Sequence, residues 1–387
     1  MRPPGSRPLK PLHWRTGLSY GSLGLPLAFV SLPLYVNLPH YYAAVAGVPL
    51  AGLGAVLLAT RAVDAVLDPA LGRLADRLLH RGLGQAWLAA LLGSLIMGLG
   101  FAALWHPPEG GPQEVLIWLA LSLLVCTLAY SAVSILHQAW GTRWGGDPNW
   151  RARVTAWREG ATLLGVLLAS ILPTWLGFDA TSVVLFLALA IGLFGLHRLP
   201  PAIAQPMGYA RGHSSPASTA SPWADASFRR LLFVFMLNGV AAAIPATLLP
   251  FFVADRLQAP EMQPLFLLCY FGAAAAGLPL WVRAVSRWGL APSWRAGMLT
   301  SVVAFSLTPW LDAGDGGAFL VICLASGLAL GADLALPGAL LTGVIHESGQ
   351  GGSGEGRYLG WWTCAAKLNL ALAAGLATSD HAPDFIL

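Results

Sequence analysis

The chain has 387 residues, 56% of them hydrophobic and only 10% charged, against about 25% charged residues in an average soluble domain. So little polar surface excludes a water-soluble globule. Lipid is then the solvent for most of the chain, and a chain in lipid must satisfy its own backbone hydrogen bonds as helices or as a closed barrel. The net charge of +4 would admit nucleic acid as a partner, but the placement of the basic residues, taken up below, gives them another role.

The apolar stretches run roughly 20 residues, which fits helices crossing ~30 Å of hydrocarbon, and they lack the alternation of barrel strands. Residues Met1 to Arg15 are basic and proline-rich; no convincing cleavage site follows, so the next apolar stretch reads as a retained first span. Eleven spans are predicted, at about 17–46, 48–71, 84–105, 114–140, 151–176, 178–198, 228–254, 261–284, 290–311, 317–346 and 357–378. The first is too long for one straight crossing, and Pro26, Pro33 and Pro39 are expected to kink it. The stretch from Pro200 to Ser227, rich in Pro, Ala and Ser, is the one long polar linker. It predicts a six-helix N-terminal bundle over residues 1–199, a cytoplasmic linker at 200–227 and a C-terminal bundle with five visible spans at 228–387. After the eleventh span the sequence continues only through Asp380-His381-Ala382-Pro383-Asp384 to Leu387, so a twelfth span is not visible: the chain is expected to be truncated or its second half one helix short.

Eighteen of the 22 Lys and Arg residues lie in the N-terminus or in alternate loops, and only Arg256 lies in the opposite set. By the positive-inside rule this places the N-terminus in the cytoplasm. The basic balance therefore records topology, and no nucleic-acid partner is expected. The four cysteines all fall inside apolar runs without paired metal-ligand spacing, so they read as free thiols. No phosphate-binding Gly-x-x-x-x-Gly-Lys-Ser/Thr motif and no His-x-x-x-His or Cys-x-x-Cys pair occurs, which argues against a nucleotide-driven pump and against an enzyme. No resident cofactor or metal is expected.

Seven ionisable residues fall within the predicted spans: Arg61, Asp64, Asp68, Arg158, Glu159, Asp333 and Lys367. Each charge at the bilayer centre costs ~2.5–3.5 kcal/mol on insertion scales, so they must face one another or a wet cavity. Asp64 and Asp68 are one helical turn apart on one face, with Arg61 beside them. Two such carboxylates repel unless a cation or proton sits with them, which makes a cation port; a structural ion-pair network is the alternative. Lys367, with Thr363 one turn before it, supplies a counter-charge, or else snorkels to the interface. Glu159 follows Arg158 directly, and adjacent helical residues point about 100° apart, so the two are not expected to face one way. His137 reads as a hydrogen-bonded structural histidine.

Tyr20-Gly21, the block Arg61-x-x-Asp64-Ala65-x-x-Asp68-Pro69-x-x-Gly72-x-x-x-Asp76-Arg77 and the mid-span Lys367 resemble the glycoside–pentoside–hexuronide:cation symporters, the melibiose-carrier-like branch of the major facilitator superfamily. The resemblance runs from about Leu18 to Lys367. It implies an all-α fold of two helical bundles and a secondary transporter, coupled to Na+ or H+, that moves a small organic solute, such as a sugar or glycoside, by alternating access. Residue by residue, it implies cation binding at Asp64, Asp68, Thr363 and Lys367, substrate binding at Arg158 with Ser134 and Gln138, and a gating loop containing Gly72, Asp76 and Arg77. It also implies a bacterial inner-membrane monomer whose partners are the solute and the bilayer. Departures from the family pattern lie in the sugar site: Leu25-Pro26-Leu27-Ala28-Phe29 carries no acid, Gln138 stands where an aromatic is expected, and Gly343 and His346 replace an aspartate pair. A lysophospholipid or other less polar solute, or a degenerate carrier that does not transport, is the alternative.

Overall fold

The computed structural model describes residues 12–199 and 221–377. Most of the predicted 200–227 linker and the segment after residue 377 lie outside the described residues. Eleven α-helices occur among those described: α1 (Trp14–Gly21), α2 (Gly24–His40), α3 (Leu50–Arg81), α4 (Leu83–Leu104), α5 (Pro112–Thr142), α6 (Pro148–His197), α7 (Ala226–Phe251), α8 (Gln263–Trp288), α9 (Leu290–Phe305), α10 (Gly316–Glu347) and α11 (Glu355–Ala377). Counted with their short continuations, eight helical segments among the described residues are long and apolar enough to cross a bilayer.

Three predicted boundaries differ. The first span is divided into α1 and α2 at Ser22-Leu23 and ends in a π-turn, Tyr41–Val45. Pro26 lies in the first turn of α2, three to four residues after that interruption, where a proline removes the bond to the preceding turn; Pro33 and Pro39 lie inside α2. The stretch 71–81, expected as a loop, is helical. Leu, Ala and Arg are good helix formers, so α3 runs on to Arg81 and stops at Gly82, whose φ of 120° an L side chain rarely adopts. The fifth and sixth spans join into the 50-residue α6, bent at Gly177 (φ 76°). Beside that bend Phe178 stacks on Trp105 at 3.6 Å between centroids, with Tyr41 edge-on.

The chain forms two compact units. Among the described residues the first comprises 12–145, 157–199 and 349–364, the second 146–156, 221–348 and 365–377. In the first, α5 packs against α3 and α4, while α1 and α2 seat on α6 through small residues: a Cβ on Gly21 would lie 2.5 Å from the Trp157 carbonyl oxygen, and one on Gly24 2.9 Å from that of Arg158. Backbones can approach this closely only where side chains are absent, the usual device for helix pairing in lipid. In the second unit α10 is the central helix, packed by α7, α8 and α9.

Candidate functional site

The site is built on α3. Asp64, Asp68, Gly72 and Asp76 form one i, i+4 row along it, and all four are buried, Asp68 completely at 0% exposure. The opposite face carries Val63, Val66 and Leu67, exposed as lipid-facing residues are. The charged face therefore points into the protein. Ser131 of α5 donates a 2.7 Å hydrogen bond to Asp64 Oδ1. Asp64 also lines a cavity of about 40 Å³ with Ser31, Tyr35, Thr60, Arg61, Thr127 and Tyr130. That is room for a few water-sized species: an ion with its water fits, a sugar does not.

Arg61 stays beside Asp64, lining the same cavity. Its guanidinium stands over the Tyr35 ring, 4.4 Å from the centroid, a cation–π contact.

Below the carboxylates, α11 presses onto α3. A Cβ on Gly360 would fall 2.5 Å from the Asp68 carbonyl oxygen and 2.9 Å from Pro69 Cα, while Gly72 and Gly356 face each other so closely that either Cβ would strike the other's carbonyl. One turn further along, Asp76 accepts hydrogen bonds from the N–H of Gly356 at 2.6 Å and of Arg357 at 3.0 Å. The Arg357 Nε lies 3.6 Å from Asp76 Oδ2. A carboxylate here satisfies orphan donors and meets the positive end of the α11 dipole. Arg77 is exposed. At the same end Arg143 donates to the carbonyls of Leu79 at 2.7 Å and Gly352 at 2.5 Å. Thr363, half-buried, lies in the first unit with these residues, and Lys367, also half-buried, is one turn further along α11 in the second unit.

Arg158 and Glu159 on α6 correct an expectation. Despite their adjacent positions, Arg158 Nη2 and Nε donate to Glu159 Oε1 at 2.6 and 3.0 Å. The guanidinium lies far enough from its Cα to fold back across the 100° step. Both side chains are about 85% buried, so the pair is largely desolvated. Arg158 also interacts with the Tyr20 hydroxyl. Tyr20 in turn bridges to α5: its hydroxyl donates to the His137 carbonyl at 3.2 Å, and the His137 ring nitrogen Nε2 meets the Tyr20 carbonyl at 2.8 Å. His137 is thus a hydrogen-bonded, fully buried histidine.

Ser134 and Gln138 share a face of α5, with Gln138 Nε2 donating to Ser134 Oγ at 3.1 Å. Sequence reasoning missed Ser131, Thr127 and Tyr130. A signal was present: Thr127, Ser131, Ser134 and Gln138 recur at helical spacing as a polar stripe through an otherwise apolar span. Among the described residues, no group of three or more His, Cys, Asp or Glu side chains could hold a metal ion.

Comparison with known proteins bears on both fold and family. The sequence profile described as MFS/sugar transport protein matches residues 19–198 and 221–379. Over 278 residues the chain is 25% identical to the inner membrane symporter YicJ of Escherichia coli strain K12, covering 66% of this chain and 57% of that protein. It is 32% identical over 162 residues to the glucuronide carrier protein homolog of the same strain, covering 41% and 35%. The chain thus spans little more than half the length of the first of these relatives. Among solved structures, a bacterial homologue of the iron transporter ferroportin, in an outward-facing state, superposes with a TM-score of 0.68 at 17% identity, covering 97% of this chain and 94% of that one. The Escherichia coli fucose:proton symporter gives 0.64 at 12% identity, covering 96% and 91%. At such identities these structures speak to fold alone. With the family profile covering most of its length, the chain belongs to the MFS/sugar transport protein family and has the major facilitator superfamily fold.

Proposed function

We propose that this protein is a cation-coupled secondary transporter that carries a small organic solute across a bacterial inner membrane, with its N-terminus in the cytoplasm. The observation that carries the proposal is the burial of Asp64 and Asp68 on one face of α3, with a hydroxyl donor and an ion-sized cavity at Asp64. Two carboxylates in a medium of low dielectric cannot both stay ionised cheaply. A sodium ion or a proton relieves the repulsion, and Lys367 is assigned the role of substitute cation when neither is bound. Thr363 contributes its hydroxyl to the cation, and Gly72, Asp76 and Arg77 belong to the gate. The relatives already described, an inner membrane symporter and a glucuronide carrier protein homolog, favour coupling and a glycoside as cargo.

Arg158 is the substrate-binding residue in this reading, with Ser134 and Gln138. Glu159 holds the guanidinium until solute hydroxyls compete for it. A less polar solute, lysophospholipids included, is favoured by one observation, the absence of an acid in Leu25-Pro26-Leu27-Ala28-Phe29. Uptake of a panel of glycosides and lysolipids into proteoliposomes, with and without a Na+ or H+ gradient, tests both readings. Accumulation driven by one gradient and lost with an ionophore is expected. Equal uptake in protein-free vesicles for every solute and both gradients would end the proposal.

A further inference from the structure

Asp333 plays no part in the site described above. It lies near the middle of α10 in the second unit. Its Oδ1 accepts two hydrogen bonds, from Asn238 Nδ2 of α7 at 3.0 Å and from the indole Nε1 of Trp294 of α9 at 2.7 Å. The phenol of Tyr270, on α8, lies within electrostatic range. Each of α7, α8 and α9 thus presents an uncharged group to the carboxyl; Arg151 at the start of α6, in the same unit, lies against Gly343 of α10, ten residues and so about 15 Å along the helix from Asp333. The arginines of those helices, Arg229, Arg230, Arg283, Arg287 and Arg295, are exposed towards helix ends, and Arg256 pairs with Asp312. Among the described residues Asp333 forms no salt bridge.

An ionised carboxylate within a membrane span and without a counter-charge is costly, and an ionisable residue so placed marks an ion pathway by default. Hard metal cations require a cage of several oxygens. Here the two nearest groups are N–H donors aimed at Oδ1, which repel a metal ion. A proton needs no cage. A carboxylic acid keeps one acceptor oxygen when the other is protonated, so Oδ1 can hold both hydrogen bonds in either charge state while Oδ2 gains or loses the proton. The three helices therefore stay clamped to the carboxyl through the reaction COO⁻ + H⁺ → COOH, with water as donor and acceptor of the proton.

We propose that Asp333 is a proton-binding site of the second unit, with Oδ2 the titrating atom and Asn238 and Trp294 the residues that position it. The proposal is independent of any role for Asp64 and Asp68. The test is pH-dependent infrared difference spectroscopy on the purified protein in lipid vesicles. Acidification should produce a carboxylic C=O band that Asp333→Asn lacks. Asn238→Ala and Trp294→Phe should retain that band but shift its frequency and its midpoint, because each removes one hydrogen bond from Oδ1. A spectrum of Asp333→Asn identical to that of the unmodified protein would overturn the assignment. If Asp333→Asn does not fold, bands unmoved by either hydrogen-bond variant would overturn it equally, since a titrating Asp333 must sense both donors.

Discussion

Asp64 is the residue on which the coupling argument turns. Its carboxylate takes a short hydrogen bond from Ser131 and borders a cavity of ionic size. Asp64→Asn keeps the shape and removes the charge, so gradient-driven accumulation in proteoliposomes should fall to the passive level while downhill solute exchange persists. Continued concentration of solute by that variant would make the aspartates structural. Ser131→Ala removes a hydrogen bond to a charged group, worth about 1.5–3 kcal/mol; the cation concentration for half-maximal uptake should fall about tenfold or more with expression unchanged, because the lost donor no longer competes with the cation for the carboxylate. Arg158 and Glu159 give a prediction of the opposite kind, because their pairing is a buried one. Arg158→Ala or Glu159→Ala alone strands a charge, at a cost of about 3–5 kcal/mol, and should lower the thermal midpoint in detergent. Replacing both with Met should cost less than either single change. Additive losses in this cycle would show that the pair is not coupled.

Helix α3 shows how an element carries both stability and chemistry. Its buried row alternates carboxylates with Gly72, and that glycine admits α11. Adding bulk there forces apart two backbones, which overpacking data put at about 1–3 kcal/mol. Gly72→Val and Gly360→Val should therefore lower the thermal midpoint and abolish uptake. Gly54, on the same helix, has nothing within 4 Å of its added Cβ. Gly54→Ala should be neutral or stabilising by up to about 1 kcal/mol, the difference in helix propensity. Equal damage at Gly54 and Gly72 would mean that α3 is sensitive to substitution everywhere and that the α11 contact is not special.

Across the whole molecule, the arginine asymmetry is the basis of the proposed topology. Arg77 is exposed at the end of α3 that carries Asp76. In a background with the four native cysteines replaced, Arg77→Cys should react with an impermeant thiol reagent from the cytoplasmic face only. Labelling of intact cells at that position would invert the topology and with it the direction assigned to the gate. The proposed coupling is likewise a property of the whole chain. If it operates, cation and solute affinities rise together, because linkage is reciprocal, by about 5–150-fold for an ordinary coupling of 1–3 kcal/mol.

Hydropathy alone determined that the chain is helical and membrane-embedded, and the spacing Asp64-x-x-x-Asp68 with the surrounding block pointed to the family, because both signals are local in sequence. The helical row from Asp64 to Asp76 was legible for the same reason: it repeats every four residues along one helix. Sequence did not reveal which side chains meet across helices. Ser131 reaches Asp64 over 67 positions of chain, Gly356 meets Asp76 over 280, and Asn238 reaches Asp333 over 95. Even the neighbouring Arg158 and Glu159 escaped helical-wheel logic, since a guanidinium on a long flexible arm is not bound to the direction of its Cβ. Periodicity reports where a side chain starts; only packing in three dimensions decides where its charged end comes to rest.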